Sequence, residues 1–290
     1  CGRIYPERAD DIAWENETGG YRIYGPATQA KGERAFGYDL FMKYTGEEPV
    51  VESLYQAQTS GHNWHIVDSL RAIDPALAKE FERSFTYHID HGKGMDCYAV
   101  GPTLGAGVPV PYFADSLAFA WCYDQARILD NGPLRFTVEL TFAPRIIGSD
   151  SAVVETRTIS LDSRSLLNRS KVSYRGVSEP LTLATGFPRR DETTAYTSPK
   201  GIIAYSDPTQ GPDNGRPYLG IVAPLGFDST AEVHGHILGL KTISPADTLE
   251  YEWGFVWDRN EPDINIDSWA DRLHAHAAEA SHPLVVRIKK

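Results

Sequence analysis

Apolar and polar residues alternate cleanly through Arg135-Phe136-Thr137-Val138-Glu139-Leu140-Thr141-Phe142. A two-residue period is the mark of a strand with one face buried. The same reasoning predicts strands over 20–25, 38–44, 117–129, 134–143, 153–161 and 170–175, then 181–185, 201–205, 218–223, 231–240, 249–257 and 284–288. Asn131-Gly132-Pro133 and Asp213-Asn214-Gly215 supply turn signals between them. Helix signals are few. Asp74 and Pro75 fit the cap and first position of a helix over 76–83, and Asp267 fits the cap of a second over 268–280. Many strands joined by short turns, with only two helices, predict a mainly β protein built as a large antiparallel β-sandwich. No repeat, low-complexity tract or linker divides the chain, so one domain over 1–290 is expected.

Composition narrows the partners. With 41% hydrophobic and 23% charged residues among 290, the chain can bury a substantial core. Its net charge of -11 argues against nucleic acid, since phosphate binding needs clustered Lys and Arg. No apolar run approaches the ~18 residues of a transmembrane helix. The 6 Trp, 15 Tyr and 11 Phe suit a β core and could also stack on sugar rings. Cys1, Cys97 and Cys122 are odd in number and lack metal-like spacing; Cys97 and Cys122 are expected to be buried small hydrophobes. A leading Cys1-Gly2 is compatible with a lipid-anchored exported protein, but the abrupt start is better read as a shortened precursor.

Usable chemistry is densest in Tyr87-His88-Ile89-Asp90-His91-Gly92-Lys93-Gly94-Met95-Asp96-Cys97-Tyr98. Three chemistries fit. A uronic-acid lyase needs a base, a carboxylate-neutralising cation and a proton donor. His88 or His91 could be the base, Tyr87 or Tyr98 the donor, and Arg22 or Arg135 the cation. An epimerase would pair a His with a carboxylate such as Asp96 or Glu252. Hydrolysis would need two carboxylates, for which Asp90 with Asp96 or Glu250 with Glu252 are available. Metal ligation is the third: His88, Asp90 and His91 could join His234 and His236 around a divalent cation, Zn or Ca. Trp14 and Trp253 could form a sugar platform, with Asn16, Arg22, Tyr87, Asp90 and Glu252 as further substrate contacts. Simpler roles stand beside these. Asp90 and Asp96 could cap turns, and His274 and His276 could be solvated on the terminal helix.

Trp14-Glu15-Asn16, Tyr21-Arg22-Ile23-Tyr24-Gly25-Pro26, the segment 87–107 and Asn131-Gly132-Pro133-Leu134-Arg135 together resemble the bacterial family catalogued as domain of unknown function 4861. The resemblance spans most of the chain. It implies a galactose-mutarotase-like supersandwich, a setting in polysaccharide breakdown beside uronate-processing enzymes, and a periplasmic or secreted location. It also implies a further N-terminal β-rich portion ahead of Gly2-Arg3-Ile4-Tyr5-Pro6-Glu7-Arg8, and a local insertion within 53–84. The resulting expectation is an enzyme acting on uronate-containing oligosaccharides, by lyase, hydrolase or epimerase chemistry. The alternative is a non-catalytic carbohydrate-binding protein of a glycan-uptake system.

Overall fold

A computed structural model describes residues 1–46 and 48–280. The protein is mainly β, and its described residues form three antiparallel sheets. The N-terminal sheet runs in order through Gly2–Tyr5, Asp11–Glu15, Gly20–Ile23, Asp39–Lys43 and Gly94–Met95. The large, nine-stranded sheet runs Tyr196–Ser198, Ile202–Ser206, Pro217–Val222, Thr248–Trp257, Leu167–Arg175, Asp150–Asp162, Arg135–Phe142 and Tyr123–Asn131. Its ninth strand, Arg145–Ile147, pairs with Asp150–Asp162. The small sheet holds Ser229–Val233, His236–Ile243, Leu181–Pro188, Val110–Phe113 and Ser116–Leu117. The antiparallel sandwich read from the alternation is therefore present.

One hydrophobic core joins the three sheets. Ile12, Trp14 and Leu40 come from the first, Val138, Ile159 and Trp253 from the second, and Leu183 and Ile237 from the third. Trp14 stacks on Phe136 at 5.7 Å and meets Trp253 edge-on at 6.4 Å. Such pairs add about 0.5–1.5 kcal/mol each beyond their area burial. Both indole N–H groups are satisfied inside, donating to Asn168 Oδ1 and Ser170 Oγ at 2.8 Å. The opposite face of the large sheet carries a second core, where Val222 and Val256 pack against Trp269 and Leu273. Further along that face, Arg169, Lys171, Glu250 and Glu252 alternate outward.

Among the described residues five α-helices frame the sheets: α1 Pro26–Ala30, α2 Val51–Gln58, α3 Gly61–Arg71, α4 Pro75–Arg83 and α5 Ile266–Ala280. Asp74 caps α4 as predicted, accepting from the N–H groups of Ala76 and Leu77. The capping residue of α5 is Asn265 instead of Asp267: Asn265 Oδ1 accepts from Ser268 N at 3.0 Å, and Ser268 Oγ accepts from Asn265 N at 3.1 Å. Helices α2 and α3 escaped the periodicity argument because their apolar stripes are narrow; α3 buries only Val67. Helix α2 covers the outer face of the N-terminal sheet through Val51, Leu54 and Tyr55 against Phe41 and Ala13. Its start lacks a side-chain cap of its own. Glu15 supplies one from the sheet, accepting from Val50 N and Val51 N while holding Lys43 Nζ at 2.9 Å.

Two further differences have local causes. The strand expected over 117–129 is broken, because Ser116–Leu117 belongs to the small sheet and Tyr123–Asn131 begins the edge of the large one. That edge strand shifts register twice against its neighbour and is exposed along most of its length. The strand expected over 231–240 is a hairpin. His234 and Gly235 both take positive φ, 52° and 67°, between Val233 and His236, as a two-residue primed turn requires. The strand expected over 284–288 lies outside the described residues.

Candidate functional site

The dense segment at 87–98 folds into a loop whose polar groups are consumed by the protein itself. Gly92 and Gly94 take positive φ, and at Gly94 a side chain would collide with the carbonyl of Met42. Asp90 accepts from the N–H groups of Gly92 and Gly94, and binds Tyr44 and Arg259, both at 2.8 Å. Burial alone would raise this carboxyl, but those partners together hold it below the usual range. His88 Nδ1 lies 2.9 Å from the Asp96 carbonyl, and His91 Nε2 lies 3.1 Å from that of Thr86. Both imidazoles thus tie the loop to its own backbone.

Beneath the loop, Arg22, Tyr87 and Asp96 do converge. Arg22 binds Asp39 through Nε at 2.8 Å and Asp96 through Nη2 at 2.8 Å. Tyr24 donates to Asp39 at 2.6 Å, and Tyr87 accepts from Arg22 and Arg8 at 3.3 Å each. Arg22, Asp39 and Asp96 are all nearly inaccessible. Burial, and then the competing Asp39 charge, push the Asp96 carboxyl up to about 6 against the pull of Arg22. This cluster joins the sheet to the loop; among the described residues its charges are paired internally.

The remaining candidates are dispersed. Trp14 and Trp253 are completely buried in the core and present no face to a sugar. Tyr98 is buried too, beneath the guanidinium of Arg190 at 5.5 Å from its ring. His234 occupies the hairpin turn near Asp115, while His236 faces its own turn and accepts from Leu104 N at 3.3 Å. They do not share a strand face. Among the described residues no group of three or more His, Cys, Asp or Glu is arranged to hold a metal ion, so the proposed His88, Asp90, His91, His234 and His236 set is not assembled. Cys97 is buried as expected and Cys122 partly so; both are free thiols.

Asn16 and Arg135 line a different space, a cavity of about 560 Å³ that also includes Glu15, Lys43 and Asn131. It unites two of the segments that carry the family resemblance. Its polar groups are already engaged: Arg135 with Asp162 at 2.9 Å, Asn16 with the carbonyls of Asp162 and Ser165, and Lys43 with Glu15. Among the described residues neither a His nor a Tyr lines it.

Glu252 is a buried carboxylate on the outer face of the large sheet, with two partly exposed cationic partners. It stands opposite Arg169 across the sheet, and Arg169 Nε approaches it at 3.2 Å. From α5, His276 Nε2 makes a close contact with its other oxygen. Burial would raise the Glu252 carboxyl, but His276 and Arg169 outweigh it and hold it low. The Glu252 hydrogen bond, only partly opposed by burial, raises His276. Lys171 pairs with Glu250 one step along at 2.8 Å. These residues, His276 apart, border a groove of about 360 Å³ with Pro224, Tyr251 and Ala280. His276 is therefore not simply solvated. Its spacing to Glu252 carries no motif; only an i, i+2 His pair on an amphipathic helix hinted at it.

The whole is a mainly β, antiparallel protein with an imidazole–carboxylate–guanidinium cluster on the outer face of its largest sheet. Residues 1–286 match the family model described as Domain of unknown function (DUF4861), and the chain belongs to that family. Uncharacterized protein P7 of Formosa agariphila is 25% identical over 306 residues, a match covering 99% of this chain and 69% of that protein. The GH36 alpha-galactosidase AgaB of Geobacillus stearothermophilus aligns in structure with a TM-score of 0.37 and 13% identity. That alignment covers 89% of this chain, which spans 41% of the galactosidase chain. Among the described residues no helix is long and apolar enough to cross a membrane.

Proposed function

We propose that this protein is a carbohydrate-active enzyme that processes uronate-containing oligosaccharides by acid/base chemistry on the outer face of the large sheet. The observation that carries the reading is the Glu252–His276–Arg169 cluster at a solvent-open groove. Near neutral pH a raised imidazole and a depressed carboxyl favour an imidazolium beside a carboxylate, a proton donor and an acceptor in contact. Arg169 and Lys171, each about half exposed, can turn toward a substrate carboxylate. In elimination, neutralising that carboxylate acidifies the adjacent C–H; Glu252 accepts the proton and His276 protonates the leaving oxygen. The same pair would serve ring-opening epimerisation. His88, His91, Tyr98 and Asp96 have structural roles in this reading.

The second reading, a carbohydrate-binding protein without turnover, is favoured by the 560 Å³ cavity, where half-exposed Arg135 stands beside Asn16 and Asn131 and, among the described residues, no imidazole or phenol is present. A screen against uronate oligosaccharides, following absorbance of a new carbon–carbon double bond together with product mass, separates the two. Turnover lost in Glu252→Gln and His276→Asn but retained in His88→Ala supports the enzyme. Binding without product across the panel, weakened by Arg135→Ala, supports the binding protein. We also propose that the protein works outside the cytoplasm, in the periplasm or secreted; cell fractionation that finds it only in the cytosol would refute this.

A further inference from the structure

A cavity of about 440 Å³ opens between α1 and the chain at 120–124, bordered by Pro26, Ala120, Trp121, Asp124, Phe142 and Arg145 among others. Trp121 is 57% exposed, in contrast with the buried Trp14 and Trp253. An indole on the surface over a depression of this size is an apolar plate with room for a ring.

The floor of the cavity is electrostatically unusual. Behind Arg145 lies Glu155, fully buried inside the sandwich, with Arg145 Nη2 on one of its oxygens at 2.8 Å. Arg157, also buried, binds the other oxygen and lies over the Phe142 ring at 4.4 Å. Two guanidiniums thus share one carboxylate. Tyr38 and Tyr174 adjoin them, but burial pushes both phenols up and keeps them neutral. Among the described residues the cluster holds one positive charge in excess, and Arg145, its partly exposed member, is the one that faces the cavity. Arg145 makes its remaining Nη bond to the Ala118 carbonyl at 2.8 Å, and its buried Nε has no partner among the described residues. Asp124 is the acidic group on the rim, exposed to solvent.

We infer that this cavity is a second carbohydrate subsite, taking a hexuronate residue whose ring lies on Trp121 and whose carboxylate pairs with Arg145. A neutral sugar would find the plate but leave the floor charge unanswered. The substrate class rests on the proposed function, but the site is separate from Glu252 and can be tested without turnover.

The test is calorimetric titration of the whole chain with a galacturonate trisaccharide and, in parallel, with its carboxyl-reduced neutral form. Trp121→Ala, at an exposed position, is expected to weaken uronate binding about tenfold through loss of the stacking face. Arg145→Lys, which keeps the charge beside Glu155, should weaken it several-fold and narrow the preference over the neutral form. Unchanged affinity in Trp121→Ala, or equal affinity for the charged and reduced sugars, would overturn the inference. Uronate binding that depends on Trp121 in a protein without turnover would uphold the subsite and reject the enzyme reading.

Discussion

The protein contains two compact charged clusters of similar make-up and opposite circumstances. Arg22–Asp39–Asp96 is sealed between the N-terminal sheet, α2 and the 87–98 loop, whereas in Arg169–Glu252–His276 the carboxylate is buried but both cationic partners are partly exposed on an outer sheet face beside a groove. The first reaches the segment where the sequence concentrates its chemistry through Asp96 and takes Arg22 and Asp39 from two strands; the second likewise draws one residue from each of three stretches, none of them in that segment. Density along the chain measures how many polar groups a loop needs to hold its shape. Reactivity depends on which groups keep a path to solvent.

Removing the cation from the sealed cluster should have the largest effect. Arg22→Met leaves two buried carboxylates unpaired and should cost about 3–5 kcal/mol, read by chemical denaturation. A loss below ~1 kcal/mol would mean that solvent reaches the cluster. At the open cluster the effect should fall on rate instead. Glu252→Gln and His276→Asn should each lower turnover by about 10²-fold or more, equivalent to ~2.7 kcal/mol of barrier, with a much smaller change in stability. If both variants unfold readily and the survivors react at the normal rate, the clusters have the same role after all.

The pH dependence sharpens the contrast. The folded protein raises His276 above its ordinary 6.5, so that contribution is full below 6.5 and fades as pH climbs through the folded value. It lowers Glu252 below its ordinary 4.5, so that contribution is full above 4.5 and fades as pH falls through the folded value. The stability difference between wild type and His276→Asn should therefore peak between these two ordinary values and shrink on either side. A difference that grows steadily toward alkaline pH would contradict the pairing. The smallest effect belongs to Arg135→Ala, whose exposed pair with Asp162 should be worth less than about 1 kcal/mol in thermal melts.

What could be read in advance follows the same division. The alternation in 135–142 revealed its buried face because the strand has one wet side, and the hydrophobic set Phe136, Val138, Leu140 and Phe142 is indeed inside. In the N-terminal sheet the strands at 20–23 and 39–43 were legible but Asp11–Glu15 was not; all three are covered on both faces, and their polar positions are buried ion pairs. Trp14 and Trp253 were ambiguous because an indole serves a core or a sugar equally well, and composition cannot tell which side of a sheet it takes. Glu252 was visible as a candidate carboxylate. Its histidine was not, since α5 reaches it only after the intervening turn brings the helix back across the sheet.

The edge of the large sheet bears on how this protein behaves in a crowded solution. Tyr123–Asn131 leaves one side of a nine-residue strand without a neighbour among the described residues, the geometry that lets identical chains zip together. Its two register shifts spoil the even spacing such zipping needs, and Asp124, Arg127 and Asp130 put charge along it. Irregularity of this kind opposes edge-to-edge pairing. Exchanging those three charged residues for threonine should turn light scattering concentration-dependent well before the fold is lost.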